Sequence, residues 1–158
     1  MDLQIMFDYI GHYGPLISFF LTGYSLLNRK IYAFVFACGS FLNLAINMWL
    51  KAIFREPRPQ HPVKFIDSDD LVGSNSYGMP SGHAQITFFS LTFLLLTKSP
   101  ILWIYIMTCI AVITVYQRWK YKRHTVKQLI VGAGIGIFSA WIIVMITDTY
   151  LQDIISHK

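Results

Sequence analysis

Apolar residues run almost unbroken through five stretches of the chain, at residues 9–28, 31–50, 71–97, 99–117 and 128–147, and none of these contains Asp, Glu, Lys or Arg. A helix needs about 20 apolar residues to cross a ~30 Å hydrocarbon core, so four of the five predict membrane-spanning helices directly. The third differs. Its first dozen residues, Leu71 to Gly82, are rich in Gly, Ser, Asn and Pro, which leaves His83 to Thr97 as the apolar helix. At 1.5 Å per residue that helix measures about 22 Å, short for a full crossing. A helix that starts below the membrane surface is tolerated where its N-terminal end borders a protein-lined cavity, so this segment is a candidate wall of a site. The prediction is an all-α, polytopic membrane bundle of five transmembrane helices, with a short interfacial helix over residues 1–13. A single integral-membrane domain covers residues 1–158.

Composition agrees with that pattern. The chain is 54% hydrophobic and only 13% charged, against about a quarter charged in ordinary soluble domains. Cleavage of the first stretch as a signal peptide is not expected. Asp2 and Asp8 precede it and no Lys or Arg occurs before Arg29, the reverse of a positive leader region. Cys38 and Cys109 lie in apolar stretches and are expected to be small buried hydrophobes, not a disulfide. Gly132, Gly134 and Gly136 read as small residues that let membrane helices approach closely.

Charge changes the picture through its distribution. Of 13 Lys or Arg and 8 Asp or Glu, eight fall within residues 51–70 and five within 118–127. Alternating crossings bring these two windows to one membrane face. The first holds Lys51, then six residues, then Arg58-Pro59; the second holds Arg118, five residues, then His124. Between them Gly78-Met79-Pro80-Ser81-Gly82-His83 opens the short helix. Clustered cations beside the N–H groups of a helix start suit a phosphate or diphosphate. His83 and His124 suit nucleophilic and acid–base work on a P–O bond, because imidazole titrates near neutrality. Lys120, Lys122, Arg123 and Lys127 read as contacts to anionic headgroups or steering charges. Asp67, Asp69 and Asp70 read as a solvated loop rather than a cation site. Neither HExxH nor Cys/His ligand spacing occurs, so no metal or cofactor is expected, and no nucleic-acid partner either. Asn43 and Asn47, one turn apart in the second stretch, are expected to bond neighbouring helices.

The pieces K-x6-R-P, P-S-G-H and R-x5-H, in this order at the ends of successive membrane helices, resemble the three signature motifs of the type 2 phosphatidic acid phosphatase (PAP2) superfamily. The resemblance implies a metal-independent lipid phosphatase acting on a lipid substrate within the bilayer. It further implies that His124 attacks phosphorus to form a phosphohistidine and that His83 protonates the leaving group. Lys51, Arg58 and Arg118 would hold the phosphoryl oxygens, and Ser81 and the Gly82 N–H would complete the cradle. Most of the superfamily carries an Asp four residues after the nucleophilic His, and here that position is Gln128, which can orient the His124 ring without adding charge. The runs Tyr77 to Gln85 and His124 to Gln128 resemble the dolichyldiphosphatase branch, in which a Gln at this position is native. That branch implies a polyprenyl or dolichyl diphosphate substrate. The alternatives are a phosphatidate or other lipid monophosphate phosphatase, or a catalytically weak phospholipid-binding membrane protein. A further departure is Gln117, where the superfamily commonly has Ser. Nine Lys or Arg lie on the motif side and four on the other. The positive-inside rule would put the motif side in the cytosol, whereas the resemblance implies a site facing the lumen or extracytoplasmic side.

Overall fold

A computed structural model describes residues 2–65 and 77–156, the last five by their backbone alone. The Asp67, Asp69 and Asp70 cluster lies outside the described residues. Six helices follow in order: α1 (Leu3–His12), α2 (Gly14–Ser25), α3 (Lys30–Phe54), α4 (Gly82–Leu96), α5 (Ile101–Lys120) and α6 (Val126–Ser156). Three of them, α3, α5 and the Val126–Leu151 part of α6, are long and apolar enough to cross a membrane, and α4 is a shorter apolar helix. The chain is an integral membrane protein.

The first predicted stretch is not one helix. It breaks at Tyr13, whose φ of −88° and ψ of 7° leave the helical path. The cause is Pro15 near the start of α2. Proline has no N–H to continue an existing helix but is preorganised for the first turn of a new one. The α1 segment matches the short N-terminal helix expected over residues 1–13, while α2, at 12 residues, is only about 18 Å long.

The centre of the bundle is the short α4. It packs against α6 most extensively and also against α5, α2 and α3. Two apolar clusters hold it: Leu26, Phe36, Phe89, Phe93, Ala140 and Val144 in one, and Leu94, Met107 and Ile110 in the other. The outer faces are as apolar as the core, with Phe34, Phe41 and Ile130 largely exposed on α3 and α6. Cys38 and Cys109 are also exposed and unpaired, against the expectation that they are buried. The apolar stretches they sit in face outward, because in a lipid-embedded bundle apolar character does not imply burial within protein.

Three polar residues inside the bundle bond to one another. Gln85 of α4 donates through Nε2 to the Asn43 carbonyl and to Asn43 Oδ1, both at 2.8 Å. Its Oε1 accepts from Asn47 Nδ2 at 2.7 Å. This buried ladder fixes α3 against the first turn of α4, as the spacing of the two asparagines predicted. Of the three glycines in α6, Gly132 lies directly on the Ser81 backbone and Gly136 on the Gln85 carbonyl, so that a Cβ at either position would collide with main chain. Gly134 faces open space. The glycine pair therefore brings the α6 backbone onto the start of α4.

Candidate active site

Both charge windows meet at one end of the bundle. Val63 N–H donates to the Tyr121 carbonyl at 3.0 Å, and Gly78 N–H to the Glu56 carbonyl at 2.7 Å. The elements converging here are the end of α3, the start of α4, the α5–α6 connection and α1. Helix α3 stops at Arg55, which adopts a left-handed conformation, and Pro57 and Pro59 prevent its resumption. This places Arg58 just past the helix end. Lys51, in the last turn of α3, donates from Nζ to the Tyr77 carbonyl at 2.8 Å.

Ser81 caps α4. Its Oγ accepts from Ala84 N–H at 3.5 Å, and its own N–H donates to the Gln128 carbonyl at 3.1 Å. The Ser81 N–H is thus committed to α6. The N–H groups of Gly82 and His83, in the first turn, have no intrahelical partner by geometry, so they are the backbone donors available to an anion.

His124 is buried in the α5–α6 connection. Its Nδ1 lies 2.9 Å from the Gly78 carbonyl and 3.3 Å from Gln128 Oε1, two oxygens that only accept, so Nδ1 carries the proton and Nε2 the lone pair. Burial, reinforced by the positive charges of Arg58 and Lys51, pushes the His124 pKa down to about 3. The ring is therefore neutral at physiological pH, as a nucleophile must be. Gly78 is required at its position, because a Cβ there would lie about 2.6 Å from the Gln128 amide.

Arg118 is buried. Its Nε donates to Gln117 Oε1 at 2.6 Å, and its Nη2 to His12 Nδ1 at 3.0 Å. His83 is partly buried, and its Nε2–H donates to the His12 carbonyl at 3.1 Å. His12 thus touches two of the motif residues although it stands outside every motif. It reaches them because Gly11 packs on the Gln117 side chain and Gly14 on Thr114, a contact that side chains at these positions would block. The Gly11-His12-Tyr13-Gly14 run was the available signal. Asp8, also on α1, binds Lys120 Nζ at 2.6 Å and the Tyr121 hydroxyl at 2.8 Å. Lys120 is therefore tied to α1 rather than held out for headgroups, and Lys127 likewise pairs with Glu56 at 2.9 Å. Among the described residues, no group of three or more His, Cys, Asp or Glu is arranged to hold a metal ion.

The sequence pattern of the PAP2 superfamily matches residues 16–151. The chain belongs to this family. It is similar to lipid phosphate phosphatase gamma of Arabidopsis thaliana, at 27% identity over 148 residues, covering 82% of this chain and 63% of that protein. It is also similar to dolichyldiphosphatase of Saccharomyces cerevisiae, at 28% over 91 residues, covering 58% and 37%. For dolichyldiphosphatase 1 of Homo sapiens the identity is 27% over 161 residues, covering 86% and 65%. The chain thus spans less than two thirds of the length of each of these relatives. Among solved structures, the PAP2-type phosphatidylglycerolphosphate phosphatase of Bacillus subtilis shares the fold. Its TM-score is 0.69 at 17% identity, over 94% of this chain and 79% of that one. In PAP2 terms, the structure gathers Lys51, Ser81, Gly82, His83, Arg118, His124 and Gln128 at one end of the bundle, with Arg58 close enough to act on the charge state of His124. The PAP2 pattern begins at residue 16, so α1 and His12 lie outside it.

Proposed function

We propose that this protein is a metal-independent lipid phosphatase that hydrolyses a polyprenyl or dolichyl diphosphate to the monophosphate through a phosphohistidine. The observation that carries the reading is the His124 ring. It is buried and neutral, with its proton fixed on Nδ1, its lone pair left on Nε2, and Arg58, Lys51 and Arg118 close enough to act on its charge. In the first step Nε2 attacks the terminal phosphorus, forming an N–P bond as the bond to the bridging oxygen breaks. That oxygen leaves with the bonding electron pair and takes a proton from His83. Because His83 Nε2–H is held by the His12 carbonyl, the proton delivered is a second one, taken up at Nδ1 to form the imidazolium when the anionic substrate is bound, and its transfer to the leaving oxygen returns His83 to the neutral ring. In the second step water attacks the phosphohistidine, His83 takes its proton back, and phosphate leaves with both histidines restored. Lys51, Arg58 and Arg118, with the Gly82 N–H and the Ser81 hydroxyl, offset the charge on the phosphoryl oxygens in both steps.

The diphosphate substrate is supported by similarity to two dolichyldiphosphatases and by Gln85 and Gln128 at the positions where that branch carries Gln. An apolar groove of about 410 Å³ between α4, α5 and α6, lined in part by Phe88, Val115, Trp119, Leu129 and Ala133, adjoins Arg118 and His124 in the chain and suits a lipid tail. The match to lipid phosphate phosphatase gamma over most of the chain favours a second reading, hydrolysis of a lipid monophosphate such as phosphatidate. We place one integral-membrane domain over residues 1–158, with α2 to α6 as five crossings and the site facing the lumen or extracytoplasmic side.

Purified full-length protein in detergent is expected to release inorganic phosphate from isoprenyl diphosphates with EDTA present, faster than from phosphatidate. Absence of release, or strict dependence on added metal, would refute the mechanism, and a preference for phosphatidate would move the assignment to the second reading. Thiol labelling of a cysteine placed within residues 60–65, in sealed vesicles, reports the side of the membrane.

A further inference from the structure

Gln128 is fully buried, and all of its amide atoms are engaged. Its Nε2 donates to Glu56 Oε1 at 3.0 Å and to the Pro57 carbonyl at 2.8 Å. Its Oε1 accepts from Thr125 N–H at 3.2 Å and faces His124 Nδ1 at 3.3 Å. The orientation of the amide is fixed from both sides, since the Nε2 end meets two oxygens and the Oε1 end meets a backbone donor. A continuous path of hydrogen bonds therefore runs from His124 through the Gln128 amide to the Glu56 carboxylate. The hydrogen bonds from Lys127 and Gln128 hold the Glu56 carboxyl below the usual range, so it is charged at neutral pH.

We propose that Glu56 is a positioning residue for His124, its carboxylate polarising the Gln128 amide so that Gln128 Oε1 supports the imidazolium that forms when Nε2 takes up the phosphoryl group. Hydrogen bonds in series polarise one another, and the negative end of the Gln128 dipole is strengthened toward Nδ1–H by the anion at its other end. Arg58, Lys51 and Arg118 are positive and oppose a cationic ring at His124. Glu56 is the carboxylate wired to the ring from the opposite side, and its partner Lys127 sits on its outer oxygen Oε2 while Gln128 takes Oε1. The arrangement also accounts for the residue type at 128. A carboxylate there would face Glu56 and the Pro57 carbonyl with no proton to give, so an amide is the group that connects Glu56 to His124.

This inference rests on the proposed role of His124 as nucleophile, and its test separates the two. In full-length protein in detergent, Glu56→Gln is expected to lower kcat about tenfold with KM unchanged, the scale of losing one hydrogen bond to a charged group. Gln128→Glu, which sets two carboxylates against each other, is expected to lower kcat as well. The double variant Glu56→Gln/Gln128→Glu keeps one carboxylate and one amide in contact and is expected to exceed both single variants. Wild-type kcat in Glu56→Gln, or a double variant no better than the worse single one, would overturn the proposal. A second measurement needs no turnover. In histidine-labelled protein, the Nδ1–H resonance of His124, identified by its loss in His124→Ala, is expected to move upfield in Glu56→Gln. An unmoved resonance means that Glu56 serves only its ion pair with Lys127. Wild-type protein that releases no phosphate would refute the function while leaving this resonance to decide on Glu56.

Discussion

The two ends of the bundle handle positive charge in opposite ways. At the end away from the site, Arg29 donates to the Thr97 carbonyl and lies 4.4 Å from the centre of the Tyr32 ring. The Tyr32 hydroxyl in turn donates to Asp148 at 2.5 Å. Cation, aromatic ring and carboxylate there close a local network that ties α3, α4 and α6. At the site end, among the described residues, Asp8 pairs with Lys120, and Glu56 pairs with Lys127 through one of its two oxygens. The acceptors on Lys51 and Arg118 described above are instead uncharged: a carbonyl, an amide oxygen and a neutral ring nitrogen. For Lys51, a neutral carbonyl as acceptor leaves the charge largely uncompensated, a cost that an arriving anion removes. The two ends therefore differ in the partners that Arg29 and Lys51 are given, an aromatic ring linked to a carboxylate in one case and a neutral carbonyl in the other.

Breaking the comparison at its centre has the largest expected effect. His124→Ala should reduce phosphate release to below about a thousandth of wild type, the loss typical of a covalent nucleophile, and retained turnover would remove its role. Arg118→Lys keeps one charge but loses the planar fork, and turnover should fall about a hundredfold, as when a single donor to a developing oxyanion is removed. His12→Ala should cost about tenfold, since it takes one bond from a charged guanidinium. Here His12→Asn, whose side-chain oxygen can stand where Nδ1 stands, should recover part of the loss; no recovery would assign His12 to packing alone. On stability, His124 has its pKa lowered from 6.5 to about 3, so the unfolded chain binds more protons between those values. The folded state should lose stability as pH falls through that window. His124→Gln should flatten this slope in thermal unfolding. At the opposite end, Tyr32→Phe should cost about 1 kcal/mol of stability through its lost bond to Asp148 and leave turnover unchanged, and a fall in turnover would erase the contrast between the ends.

Much of this was legible in the sequence because it depended on spacing. The order and separation of Lys51, Arg58, His83, Arg118 and His124, set against five apolar stretches, were enough to bring both charge windows to one end. Asn43 and Asn47, one turn apart, foretold bonds to a neighbouring helix, though not that Gln85 is the partner. Features that depended on which faces meet were hidden. Cys38 and Cys109 looked buried because apolar surroundings mean protein interior in water but lipid in a membrane. The boundary at Tyr13 agrees with the short helix expected over residues 1–13, and what stayed hidden is that α2, after Pro15, is only 12 residues long. Glu56 stood among the unspecified positions of K-x6-R-P, and its bond to Gln128 exists only because α3 ends where α6 begins. His12 lies outside the motifs, and the two glycines and the Asp8 bonds that set α1 against α5 carry no recognisable pattern in the sequence beyond the Gly11 to Gly14 run.

That last contact bears on how relatives should be compared. The bond from His12 to Arg118 comes from a helix preceding the region that defines the PAP2 superfamily. Selection on it is free to follow a different course from selection on the motifs. A relative with every motif letter in place but another residue at position 12 would align perfectly and still hold its central arginine differently. Positions 12 and 117, which share Arg118 between them, are expected to drift as a pair.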